Sequence, residues 1–148
     1  MRVLVDSNVF ISYLLPSFRA STIQKVVAEA IRGTFTLLAF EELIVEFSEK
    51  VTENKYLSDR IPPDKAARLL ELLSETAEMI SPITDEAPAV TRDAEDDYLI
   101  AYALVGRADY LVTGDKDLLV LRQVGDVRIV SPAEFIRVLE EDRGLGEE

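Results

Sequence analysis

Short, uniformly apolar runs alternate along this chain with longer stretches whose apolar residues recur every three or four positions. Arg2–Val5 reads as a buried strand. Asp6-Ser7-Asn8 then supplies turn and helix-capping chemistry, and Val9–Leu15 reads as a short helix stopped before Pro16. Ser21 is placed to cap a helix running to Arg32, with Ile23, Val26, Val27, Ala30 and Ile31 on one face and Gly33 closing it. Thr34–Ala39 is expected to be a second strand. Glu41 to about Glu53 is expected to be a helix with Leu43, Ile44, Phe47 and Val51 at helical spacing. Pro62-Pro63 marks a break and a new helix start. That helix, Asp64 to Glu78, carries Ala67, Leu70, Leu73 and Ala77. Met79–Ile83 reads as a third strand and Thr84–Thr91 as a loop. Asp93 is placed to cap a helix from Ala94 to about Val105. Tyr110–Thr113 is the clearest later strand, and Gly114-Asp115 turns it into a short helix near Leu118–Leu121. Val127–Val130 is the last strand. Ser131-Pro132-Ala133-Glu134 forms a capping box with proline at the first helical position. The closing helix is expected to end near Arg143, leaving 144–148 as a frayed tail.

Alternating strands and helices, with no linker, repeat or low-complexity segment between them, predict one α/β domain over residues 1–143. The expected sheet is mainly parallel, of about five strands, flanked by helices on both faces and joined by right-handed crossovers.

Composition narrows the chemistry. The 148 residues suit a single domain, and an apolar content of 48% excludes a disordered chain. There are no cysteines, which excludes disulfides and thiolate metal sites and fits a cytoplasmic protein. There are no histidines either, so the commonest general base and zinc ligand are missing. A catalytic metal would have to be held by oxygen, which favours Mg2+ or Mn2+. No signal peptide or membrane span is expected. The net charge of −12 opposes unaided, non-specific nucleic-acid binding. A bound divalent ion would offset part of that charge locally.

The acids follow a pattern. In open α/β sheets, ligands sit beyond the carboxyl ends of the strands, and two of the best strands run directly into Asp6 and Asp115. Helix capping accounts for either aspartate alone, but two on one sheet edge would form an acidic site. Asp96 and Asp97 lie one turn into a helix. Asp96, four residues before Ile100 and seven before Ala103, borders the face that should pack on the sheet. Acids in a first turn also suit the helix dipole. Glu42 and Glu46 share a face one turn apart beside an apolar stripe, where a solvated helix face is the simpler account. No phosphate-binding glycine loop or dinucleotide fingerprint occurs, and a Ser-His-Asp arrangement is impossible without histidine. A phosphate-receiver domain would need an acidic pair after the first strand, which Asp6-Ser7-Asn8 does not supply.

These segments resemble a known family. Val-Leu-Val-Asp6-Ser-Asn8-Val-Phe-Ile is similar to the opening of PIN domains. The Asp93-Ala-Glu-Asp96-Asp97-Tyr-Leu-Ile-Ala and Tyr-Leu-Val-Thr113-Gly-Asp115-Lys-Asp117-Leu-Leu runs resemble that family's two later motifs. The similarity extends to the group that supplies toxins of toxin–antitoxin pairs, the VapC-like ribonucleases. The resemblance implies a Mg2+- or Mn2+-dependent endoribonuclease with one or two ions. It implies Asp6, Asp96 and Asp115 as catalytic metal ligands, with a glutamate on the third helix: Glu46, or Glu42 as second choice. Asp97 and Asp117 would support them, and Asn8 and Thr113 would orient them. Phe40 stands where the family often has a small hydroxyl residue. Lys116, Arg92 and Arg19 are candidate phosphate contacts by proximity to the motifs. The implied partners are an RNA substrate, an antitoxin protein and a second copy in a homodimer, with the apolar helix around Leu69–Leu73 as an interface. A binding or assembly module that has lost catalysis and a DNA-directed nuclease are the alternatives. Intact acidic positions disfavour the first, and the small acidic chain disfavours the second.

Overall fold

A computed structural model describes residues 1–15, 21–83 and 94–146. Its centre is β1 (Arg2–Val5), paired in parallel with β2 (Thr36–Ala39) on one side and β4 (Tyr110–Val112) on the other. β3 (Glu78–Met79) extends the sheet beyond β2, and β6 (Val127–Val130) extends it beyond β4, both in parallel. β5 (Gln123–Val124) closes the far edge as the antiparallel arm of a hairpin with β6. Among the described residues the sheet therefore has six strands, in the order β3-β2-β1-β4-β6-β5. The chain builds outward from β1 to β3 on one side, then crosses to β4 on the other. The point where that order reverses lies between β1 and β4, where open α/β sheets bind ligands.

The helices among the described residues are α1 (Ser7–Leu14), α2 (Ser21–Arg32), α3 (Glu41–Glu53), α4 (Lys55–Ser58), α5 (Pro63–Thr76), α6 (Ala94–Val105), α7 (Lys116–Leu119) and α8 (Pro132–Gly146). They cover both faces of the sheet, as expected for a parallel sheet whose central strands are apolar throughout. Val3, Val5, Leu37, Val112 and Val130 belong to one apolar layer, with α1, α2, α5 and α8. Leu4, Leu38, Leu111 and Ile129 belong to the other, with α6 and α7. α3 serves both, giving Phe47 and Val51 to the first and Leu43 to the second. None of these helices is long and apolar enough to cross a membrane.

Several elements differ from the sequence expectation. The additional strand is β5, a two-residue arm turned by Gly125 at φ +58. A glycine at the start of a tight turn is what such a hairpin needs, but two residues carry no readable period. The third strand is Glu78–Met79 rather than Met79–Ile83, and the fourth helix turn, α4, was not expected. Of the stripe expected on α5, Leu73 is buried and Leu70 and Ala77 are partly buried against the core, whereas Ala67 is exposed and the unexpected Ala66 and Leu69 are buried. α7 begins at Lys116, directly after its cap Asp115, rather than near Leu118. The closing helix continues past Arg143 to Gly146. Gly33 ends α2 at φ +78, and Ser131 and Glu134 exchange capping hydrogen bonds ahead of α8, both as expected. The expected Asp93 cap and the 84–91 loop lie outside the described residues, as does the side chain of Ser21.

Candidate active site

Asp6 is the first residue after β1, and its amide donates to the Val112 carbonyl at the end of β4 (2.9 Å). This continues the parallel ladder by one rung and brings the two strand ends level. Asp6 and the Thr113–Asp115 turn consequently share one edge of the sheet. Thr113, fully buried, donates its hydroxyl to Asp6 Oδ2 (2.8 Å) and accepts the Asp115 amide on the same Oγ1 (3.0 Å). One hydroxyl thus joins the two aspartate turns.

Both aspartates also begin helices. Asp6 Oδ1 accepts from the Asn8 amide (3.4 Å) and caps α1, and Asp115 Oδ1 accepts from the Asp117 amide (2.9 Å) and caps α7. Capping and a shared acidic edge are therefore both true of these residues. In neither case does the cap use both carboxylate oxygens, and both side chains still reach the same cavity.

That cavity, about 780 Å3, lies over the carboxyl end of β1. Asp6, Asp115, Asp96 from α6 and Glu41, Glu42, Glu46 and Glu49 from α3 line it. Asp6 is only 5% exposed, and burial pushes its carboxyl above the usual carboxylate range. The Thr113 hydroxyl and the Asn8 amide oppose that shift, while the nearby Glu46 charge adds to it. Lys50 partly compensates. Its ammonium lies 2.7 Å from Glu46 Oε1 and donates to Asn8 Oδ1 (3.4 Å). Glu42 instead accepts from the Tyr102 hydroxyl (3.2 Å).

The remaining expected residues divide clearly. Asp97 is buried, at 7% exposure, and is not among the residues lining the cavity. Asp117 and Lys116 are exposed and likewise outside the lining. The Thr113 hydroxyl donates to Asp6, whereas the Asn8 side chain meets Lys50. Arg19 and Arg92 lie outside the described residues. The sequence reading missed Lys50 and Tyr98, which both line the cavity. The available signals were the four-residue spacing of Glu46 and Lys50 and of Tyr98 and Tyr102. Phe40 precedes α3 without a side-chain cap. Its ring instead stacks on Tyr102, with centroids 3.9 Å apart and planes 8° from parallel.

Among the described residues, no group of three or more carboxylates is already gathered closely enough to hold an ion. The acids are spread along the lining of the cavity instead of meeting at one point. The donor chemistry nevertheless fits a hard divalent cation: oxygen ligands only, with a buried carboxylate and a neighbouring glutamate whose repulsion a cation would relieve.

The arrangement defines an α/β protein with an acidic, oxygen-donor site at the switch point of a parallel sheet. A family model described as the PIN domain matches residues 2–117. The chain belongs to the PIN-domain family, whose members are typically nucleases and generally use divalent metal ions. The matched span contains all the acids named above, while β5, β6 and α8 lie beyond it. No curated protein matches the chain in sequence.

Proposed function

We propose that this protein is a Mg2+- or Mn2+-dependent endoribonuclease in which Asp6, Glu46, Asp96 and Asp115 hold one or two ions. The observation that carries this reading is the pair of aspartates on adjacent parallel strands, joined through Thr113 and facing one cavity with Asp96 and Glu46. Glu46 is preferred over Glu42 because its charge acts on Asp6, whereas Glu42 is engaged by Tyr102. A divalent ion bound there would supply Lewis acidity and a more acidic attacking water. The chain's own part is to hold the geometry. Thr113 fixes Asp6 and the Asp115 turn together, and the helix caps fix the angles of both carboxylates. Lys50 balances Glu46, and Lys116, beside Asp115 and exposed, is available to an RNA phosphate.

The resemblance to VapC-like proteins supports the further assignments. We take residues 1–143 as one domain acting in the cytoplasm as the toxin of a toxin–antitoxin pair. It would work as a homodimer and be restrained by an antitoxin protein. Purified protein should cleave a single-stranded RNA pool with Mg2+ or Mn2+ present, and chelation should stop it. Equal cleavage in excess chelator would remove the metal mechanism. Cleavage of DNA in preference to RNA would favour a DNA-directed nuclease. Metal binding without cleavage of either would favour the binding module.

A further inference from the structure

The lining of the cavity also includes apolar surface from Val45 of α3, Tyr98 and Leu99 of α6, and Ile83. Tyr98 is 40% exposed and Val45 is 45% exposed, although both sit at a formed cavity and not on a convex surface. Leaving large apolar groups in water at such a place is unfavourable unless something covers them. We propose that this apolar surface is a base-binding subsite for one unpaired ribonucleotide, with Tyr98 as its stacking group. The proposal rests on the ribonuclease reading and names where that substrate is gripped.

Charge favours this occupant. A chain of net charge −12, with several carboxylates around the cavity, gains little from phosphate contacts and counterion release. Grip on a polyanion must then come largely from uncharged contacts, and stacking of a base on an aromatic ring is such a contact. Size agrees: about 780 Å3 falls within the range of small-ligand sites and suits a nucleotide rather than a duplex. The adjoining turn of α6 is packed and hydrogen-bonded. One turn further along α6, the buried Tyr102 stacks on Phe40, and its hydroxyl accepts the Ile83 amide (3.0 Å) while donating to Glu42 (3.2 Å). Phe40, Ile83 and α6 are thus held together, so the surface is formed before any base arrives. A base against Tyr98 lies in the same cavity as Asp6, Glu46, Asp96 and Asp115.

The test uses the full chain with Mn2+ and a short single-stranded RNA selected from a random pool because the wild type cleaves it. Tyr98→Ala should raise KM about 5- to 150-fold, the span of base–aromatic stacking on alanine substitution, with kcat little changed. Tyr98→Phe and Tyr98→Trp should stay near wild type, which a role for the hydroxyl would not allow. Replacing nucleotides one at a time by abasic units should find one position that raises KM by a similar factor in the wild type. That replacement should add nothing in Tyr98→Ala, because the contact is already gone. If the wild type cleaves but Tyr98→Ala keeps its KM within about twofold, or the two losses add in full, the subsite is wrong and the ribonuclease reading stands. If the wild type cleaves no RNA in the pool, both fail together.

Discussion

Thr113→Val tests whether one hydroxyl joins the two aspartate turns. Valine keeps the shape of threonine and replaces the hydroxyl with a methyl. Two hydrogen bonds disappear, one to the buried Asp6 carboxylate at 2.8 Å and one from the Asp115 amide at 3.0 Å. A hydrogen bond to a charged group contributes about 1.5–3 kcal/mol, and an amide left without its partner costs about 1 kcal/mol more. Extra apolar burial from the methyl returns about 0.8 kcal/mol. The net loss is about 2–3 kcal/mol, or about 5–10 °C in Tm for a chain of this size. Thermal melts in chelator measure the stability change without metal. Thr113→Ser is the control: it keeps the hydroxyl, loses the methyl and should cost about 1 kcal/mol. Cleavage and Mn2+ affinity should fall about 10- to 100-fold in the valine variant, as they do when a group orienting a metal ligand is lost, and far less in the serine variant. A valine variant as stable and active as the serine variant would show that Thr113 only fills space.

Asp115→Asn should abolish cleavage while leaving the metal-free fold intact, since asparagine caps a helix as well as aspartate does. Mn2+ at about 100 times its Kd should raise the wild-type Tm by about 5–10 °C, from linkage of about 2.7 kcal/mol, and the variant's hardly at all. Identical Mn2+ responses would make Asp115 a cap and nothing more. Asp96→Asn should lose far more activity than Asp97→Asn, because Asp96 lines the cavity and Asp97 is buried outside its lining; the reverse ranking would refute the assignment. Glu29 lies well away from this chemistry, where the Thr34 hydroxyl first, and then Arg143 and Arg32, hold its carboxyl below the usual range. A depressed folded-state pKa contributes stability above the unfolded carboxylate pKa and loses it as pH falls through the folded value. Glu29→Gln should therefore be less stable than wild type at neutral pH, by about 1–2 kcal/mol, and the two denaturation curves should converge in acid; a gap independent of pH would exclude the charge as its source.

The parts of this molecule that were legible in sequence are those governed by short-range rules. β1 and β4 are short, mostly apolar runs followed within three residues by an aspartate, and their pairing as parallel neighbours follows the alternation of elements. Helical spacing to Ile100 and Ala103 put Asp96 beside the packed face, yet Asp97 is the more buried of the two and Asp96 instead lines the cavity. What stayed hidden depends on tertiary packing. The inward stripe of α5 is ambiguous in a helix with leucines at 69, 70, 72 and 73, and contact with α2 and α3 decides it. The short arm of β5 exists because β6 is beside it. The stack of Phe40 on Tyr102 joins residues far apart in the chain, and no local pattern announces it.

The double duty of Asp6 and Asp115 carries an evolutionary consequence. Each starts a helix through one oxygen while its carboxylate reaches the cavity. A descendant that gave up catalysis would still be under selection to begin α1 and α7 well. Decay of the site should therefore pass through asparagine or serine at these two positions, which keep the caps, before alanine appears. An aspartate surviving at one of them is weak testimony to activity. The informative positions are Glu46 and Asp96, which the helix-start requirement at these two turns does not protect.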